Sequence, residues 1–133
     1  MSAATGLDTA IEYHIVNSLG WPGLRPLQAA SVEPVRSGKD CVLVAPTAGG
    51  KTEAAIFPLL SEMVEGNWSG TTILYVTPLR ALLNNIHPRV TTYCAWLGRA
   101  AGLWHGDIGQ SERRRMLADR PDILLTTPES IEA

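Results

Sequence analysis

Four short apolar runs separated by helical patterns constrain this chain more than any other feature. CVLVA (41–45), TTILYVT (71–77), AAGLWH (100–105) and DILLTT (122–127) are brief and continuous. That is the pattern of strands buried on both faces. Helical periodicity fills the gaps: from about Lys51 to Val64 with Pro58 as an expected kink, then LRALLNNIHPRVTTYCAWL interrupted by Pro88, then ERRRMLAD capped by Ser111. Strand and helix alternating in this way predict parallel βαβ units with right-handed crossovers. The expected class is α/β, a parallel sheet with flanking helices.

Two further helices are expected ahead of the first strand. Asp8 can cap TAIEYHIVNSL, which places Ile11, Ile15 and Leu19 on one face and stops at Gly20. Pro26 can open PLQAASVEPVRS, which ends at Gly38, with Pro34 expected to kink or break it. At the other end, ESIEA after Pro128 reads as the first turn of another helix. The sheet is therefore expected to be incomplete, with an open edge and uncovered apolar surface.

Bulk properties exclude several classes. A length of 133 residues suggests one domain, and 45% hydrophobic with 18% charged residues is ordinary for a soluble globular chain. The net charge of −2 provides no global basic field, although a local patch suffices for nucleic acid. Cys41 and Cys94 form no CxxC pair and are read as two buried thiols in a reducing compartment. The histidines at 14, 87 and 105 are scattered without metal-ligand spacing. The start of the chain lacks the pattern of a signal peptide, and no apolar run approaches the ~18 residues of a membrane span. The expected location is cytoplasmic, with no membrane partner.

The stretch Ala45-Pro46-Thr47-Ala48-Gly49-Gly50-Lys51-Thr52 joins the first apolar run to a helix. In that context a Gly-rich turn presents inward N–H groups, and the helix N-terminus adds partial positive charge. Small residues at Ala48, Gly49 and Gly50 let the backbone close around phosphate oxygens. Lys51 can reach the β- and γ-phosphates, and the Thr52 hydroxyl can bind Mg²⁺. Ala45 stands where the general pattern has glycine.

Further segments carry a family resemblance. GWPGLRPLQ (20–28), the cradle (45–52), TPLRAL (77–82), His105-Gly106-Asp107 and TTPES (126–130) follow one another. In that order and spacing they resemble the Q-motif, motif I, motif Ia, the loop after the third strand, and motif Ib of superfamily-two helicases. APTAGGKTEAA, TPLRALLNN, HGDIGQSERRR and DILLTTPES are most similar to Lhr-type helicases and their DEAD/DEAH relatives. The resemblance runs from about Gly20 onward and implies the amino-terminal part of a first RecA-like, P-loop NTPase domain.

It also implies roles, ATP and Mg²⁺ as cofactors, and ATP-driven unwinding or remodelling as the parent activity. Gln28 would read the adenine edge, and Trp21 would stack near the base or anchor the core. Thr47, Ala48, Gly49, Gly50, Lys51 and Thr52 would hold the nucleotide. Pro78, Arg80, Gly106, Thr127 and Pro128 would grip the sugar–phosphate backbone of a single-stranded or duplex nucleic acid. The Lhr likeness favours DNA and a repair or defence setting. Glu129 departs from the DEAD-box glycine and is read as capping its own helix, and Arg113-Arg114-Arg115 as a solvated helix face.

No DExH or DEAD string follows motif Ib, and Asp107, Asp119 and Asp122 lack its context. A second RecA-like domain with its arginine fingers is also missing. Weak nucleotide binding with negligible turnover is expected from this chain alone. Two other readings stay open: a small P-loop phosphotransferase with QSERRRMLADR as its lid, and a non-catalytic nucleotide-binding fragment.

Overall fold

The computed structural model describes residues 5–46 and 50–132. The chain forms two compact units, Met1–Trp68 and Ser69–Ala133.

The first unit is helical: α1 (Thr9–Asn17), α2 (Pro26–Arg36) and α3 (Lys51–Glu65). Asp8 caps α1 by accepting from Ala10 N at 2.9 Å. Ile11 and Ile15 are buried as their spacing requires, and Gly20 follows at φ +72°. α2 begins at Pro26 and does not break at Pro34. It runs to Arg36 and closes on Gly38 at φ +80°, with Lys39 N bonded to Pro34 O at 3.2 Å. α2 packs on α3, where the buried Ser31 hydroxyl donates to Ala54 O at 2.6 Å. Ala54, Phe57, Leu60 and Met63 of α3 are all buried.

Pro58 lies within α3, and Pro88 within α4 (Arg80–Ala95), and neither helix is interrupted. A proline inside a helix costs about 3 kcal/mol. Here each helix buries a long apolar face, including Leu83, Ile86, Val90 and Tyr93 on α4, and tertiary packing overrides local propensity.

The expected first strand does not form. Residues 41–46 belong to no ladder among the described residues, and Val42 and Val44 are 89% and 82% exposed. A strand exists only through a hydrogen-bonded neighbour, and no described segment supplies one. Cys41 lies in this segment and is exposed, which corrects the reading of two buried thiols. Cys94 is buried, and desolvation pushes its thiol up to about 12.

The second unit contains β1 (Ile73–Val76), α4, β2 (Ala101–Trp104), α5 (Gln110–Ala118), β3 (Ile123–Thr126) and the single-turn α6 (Pro128–Glu132). The sheet is parallel in the order β1-β3-β2. Ile73 and Ala101 flank Ile123, and Val76 and Trp104 flank Thr126. Ile123 and Leu125 of the central strand are fully buried, while Leu74 and Val76 on the edge strand β1 are 56% and 44% exposed. α5 starts at Gln110 with Gly109 as its N-cap, so Ser111 lies inside the helix instead of capping it. No helix among the described residues is long and apolar enough to cross a membrane.

α5 and the turn before β3 close tightly over Gly102. A Cβ there would lie 2.7 Å from Pro121 Cγ and 2.9 Å from Met116 Sδ. The proline ring cannot swing aside. Gly102→Ala is expected to lower stability by about 1–3 kcal/mol through overpacking, measured as the shift in urea midpoint at constant m.

Candidate functional site

In the first unit, α3 starts directly after Gly50. Gly50 is its N-cap at φ +70°, a left-handed conformation that suits glycine, and no side chain among the described residues caps the helix. The first intrahelical bond runs from Ala54 N to Gly50 O at 3.0 Å, so the first-turn amides precede the ladder. Lys51 is exposed there and Thr52 half-buried. This donor set fits a polyphosphate. Thr52 offers Mg²⁺ a single hydroxyl, and no cluster of three or more His, Cys, Asp or Glu is placed for a metal among the described residues. Phosphate oxygens and water would supply the other ligands of such an ion. Thr47, Ala48 and Gly49 lie outside the described residues.

Gln28 meets this helix start from α2. It is 2% exposed. Its Oε1 accepts from Arg25 N at 3.0 Å and its Nε2 donates to Gly50 O at 3.3 Å. One amide thereby caps α2 and ties it to the N-cap of α3, a link that reading Gln28 by family analogy did not contain. The amide retains one further lone pair and one further N–H.

Trp21 lies half-buried against Phe57, with ring centroids 6.0 Å apart. Trp21 also lines a cleft of about 480 Å³ formed by residues 21–25. Trp21 is thus both a core anchor and a wall of a concave site, so its two readings do not exclude each other. The cleft reaches the α3 start through Arg25, whose Cδ is 3.7 Å from the position of a Cβ on Gly50.

In the second unit the loops that follow β1, β2 and β3 leave the same end of the parallel sheet. Thr77 N bonds Thr126 O at 3.1 Å, and the Thr126 hydroxyl donates to Trp104 O at 2.7 Å. Arg80 and Gly106 meet: Arg80 Nη2 lies 2.7 Å from where a Cβ on Gly106 would be, and Nη1 is 3.1 Å from Asp107 Oδ1. Pro78 and Pro128 are exposed. Thr127 is 2% exposed, and its hydroxyl accepts from Ser130 N at 3.4 Å. Thr127, and not Glu129, therefore supplies the side-chain bond at the start of α6. Arg113 lies over the Trp104 ring at 5.5 Å and donates to His105 O at 3.2 Å, while Arg115 pairs with Glu112. Arg114 and Arg115 are exposed as a solvated face requires, and Arg113 departs from it by packing on Trp104.

The sequence matches the DEAD/DEAH box helicase family over residues 25–133, and the chain belongs to that family. It is 33% identical over 121 residues to the Lhr helicase/probable uracil glycosylase of Mycolicibacterium smegmatis, covering 80% of this chain and 8% of that protein. It is 32% identical over 116 residues to the ATP-dependent RNA helicase dbp9 of Aspergillus niger, covering 81% and 19%. The chain thus spans a small part of the length of these relatives. Among solved structures, Mycobacterium smegmatis helicase Lhr bound to ssDNA and AMP-PNP matches with a TM-score of 0.82 at 27% identity, covering 94% of this chain and 17% of that one. The RNA helicase Prp28 from Chaetomium thermophilum bound to ADP matches with a TM-score of 0.83 at 26% identity, covering 98% and 32%. The parallel sheet with flanking helices is therefore part of a RecA-like P-loop fold.

The packing of Gln28 on Gly50 is directly testable. A Cβ on Gly50 would fall 2.3 Å from Gln28 Nε2. Gly50→Ala is expected to cost about 1–3 kcal/mol from the left-handed backbone and the clash together. Adding Gln28→Ala relieves the clash, so the double variant should lose less stability than the sum of the two single losses, measured by urea unfolding.

Proposed function

We propose that this chain is the nucleotide- and strand-binding segment of an ATP-dependent helicase. The α3 start with Gly50, Lys51 and Thr52 takes the phosphates, with residues 47–49 completing the cradle. The cleft beside Trp21 takes the base, next to the amide of Gln28. ATP with Mg²⁺ supplies the free energy of strand displacement when bound in the whole protein. The chain's own residues bind and orient the phosphates, with Lys51 as the mobile cation and Thr52 as the hydroxyl toward the metal. The observation that carries this reading is the glycine-started α3, with a left-handed N-cap and an exposed lysine at its first position.

The strand surface is the carboxyl end of the second unit's sheet, with Pro78, Arg80, Gly106, Thr127 and Pro128 around it. Arg80 provides the charge. The exposed prolines provide shape, and backbone groups provide position without reading sequence. Single-stranded DNA is the favoured ligand, supported by the likeness to Lhr, whose structure holds ssDNA and an ATP analogue. RNA is the competing ligand, because dbp9 and Prp28 are RNA helicases.

With no DExH string in the sequence, the chain binds nucleotide without turnover. Phosphate release should stay at background with or without single-stranded DNA, and strand-stimulated hydrolysis would overturn this. Lys51→Ala should abolish binding of a fluorescent ATP analogue, and unchanged binding would remove the cradle assignment. Arg80→Ala should weaken an oligonucleotide of any sequence uniformly and lower the log–log salt slope by about one. Matched DNA and RNA oligomers decide the preferred sugar.

A further inference from the structure

The loop after β2 is held by a ring of contacts that begins and ends on α4. Arg80, the first residue of that helix, places Nη1 3.1 Å from Asp107 Oδ1. The backbone N–H of Asp107 donates to His105 Nδ1 at 3.1 Å. His105 Nε2 lies 3.1 Å from Asn84 Oδ1, and Asn84 stands one turn beyond Arg80 on α4.

Chemistry fixes the proton in this ring. A backbone N–H is only a donor, so Nδ1 is the acceptor and the imidazole proton sits on Nε2, where it donates to Asn84. The two ends of the ring differ in environment. His105 is 2% exposed, whereas the Arg80 and Asp107 side chains are 53% and 68% exposed. An exposed ion pair of this kind contributes about 0–1 kcal/mol and does not immobilise a guanidinium on its own. A buried imidazole bonded at both nitrogens can, because it fixes the backbone from which the carboxylate projects. On its other side, Arg113 donates to the His105 carbonyl at 3.2 Å. Gly106 completes the seat, since its bare Cα lets Arg80 Nη2 lie against the turn.

We propose that His105 is a positioning residue for the strand surface. As the Nε2–H tautomer anchored by Asn84, it sets the Gly106–Asp107 turn that orients Arg80 toward a phosphate. Asp107 holds one edge of the guanidinium and leaves the rest of its fork to the ligand. An arginine ordered in advance loses less rotamer freedom on binding. This inference rests on Arg80 being a phosphate contact.

The test uses the full chain, a fluorescein-labelled oligothymidylate, and two substitutions that divide the imidazole's functions. His105→Asn keeps an acceptor near the Nδ1 position, and His105→Gln keeps a donor near Nε2 alone. His105→Gln should weaken binding about five- to tenfold and His105→Asn, which loses only the Asn84 contact, about threefold. Arg80→Ala combined with His105→Gln should bind no more weakly than Arg80→Ala alone, and long-range ¹⁵N NMR should find the proton on Nε2. Additive losses, equal losses for Asn and Gln, or a proton on Nδ1 overturn the proposal. If Arg80→Ala leaves binding unchanged, the strand assignment fails by itself. The positioning claim is then decided without ligand, by whether the Arg80 guanidinium signals broaden in His105→Gln. Should His105→Gln fail to fold, Asn84→Ala replaces it, expected to weaken binding about threefold and to mix the tautomers. Parent-like binding with a single tautomer would overturn the proposal.

Discussion

β3 is hydrogen-bonded along both edges, and the geometry of the second unit follows from that ladder. Because β1 and β2 both run parallel to it, the chain must cross over between strands, and every strand ends at the same side. The segments around Pro78, Gly106 and Pro128 are neighbours for this reason, although dozens of residues separate them in sequence. The Thr126 hydroxyl on Trp104 O reinforces the last ladder pair with β2, and the Thr77 N–H on Thr126 O extends the pairing with β1 by one residue. A ligand surface at the carboxyl end of a parallel sheet thus comes from hydrogen-bond direction, before any side chain is chosen.

In the first unit a single buried amide has the comparable role. A glutamine at 2% exposure is costly unless its polar atoms are satisfied, and Gln28 satisfies both with backbone partners on different elements. The N-terminus of α2 and the N-cap of α3 cannot move independently without losing one of those bonds. A nucleotide at the α3 start would consequently be sensed at Arg25, the rim of the Trp21 cleft. In the proposed nucleotide site, base and phosphate recognition would therefore be linked through the protein as well as through the ligand.

Local pattern made much of this legible. Asp8, Gly20, Pro26 and Gly38 mark helix ends through effects confined to a few residues, and each lies where its chemistry requires. Three of the four apolar runs form strands. CVLVA reads as a strand equally well but has no ladder partner among the described residues, and pairing is a non-local property that composition cannot supply. Pro34, Pro58 and Pro88 look like breaks because propensity is local, whereas the burial that outweighs it comes from neighbouring elements. Ser111 is an apt capping residue, yet Gly109 takes the position and the helix starts earlier. His105 looked like one of several scattered histidines. Its contacts are with Asn84, 21 residues away, and with a backbone N–H that no side-chain pattern records.

The same arrangement bears on how an acidic chain would carry the proposed strand surface. A net charge of −2 gives no long-range attraction. Several cations of the second unit are moreover committed locally: Arg80 to Asp107, Arg113 to Trp104 and the His105 carbonyl, Arg115 to Glu112. Such a surface would displace only a few of the counterions condensed on a nucleic acid, so affinity in the proposed complex has to come from donors already in place when the strand arrives. Order in the loop after β2 then matters more than the number of arginines. In the proposed arrangement the buried imidazole and the bare Gly106 backbone orient the Arg80 guanidinium, which α4 holds against that loop.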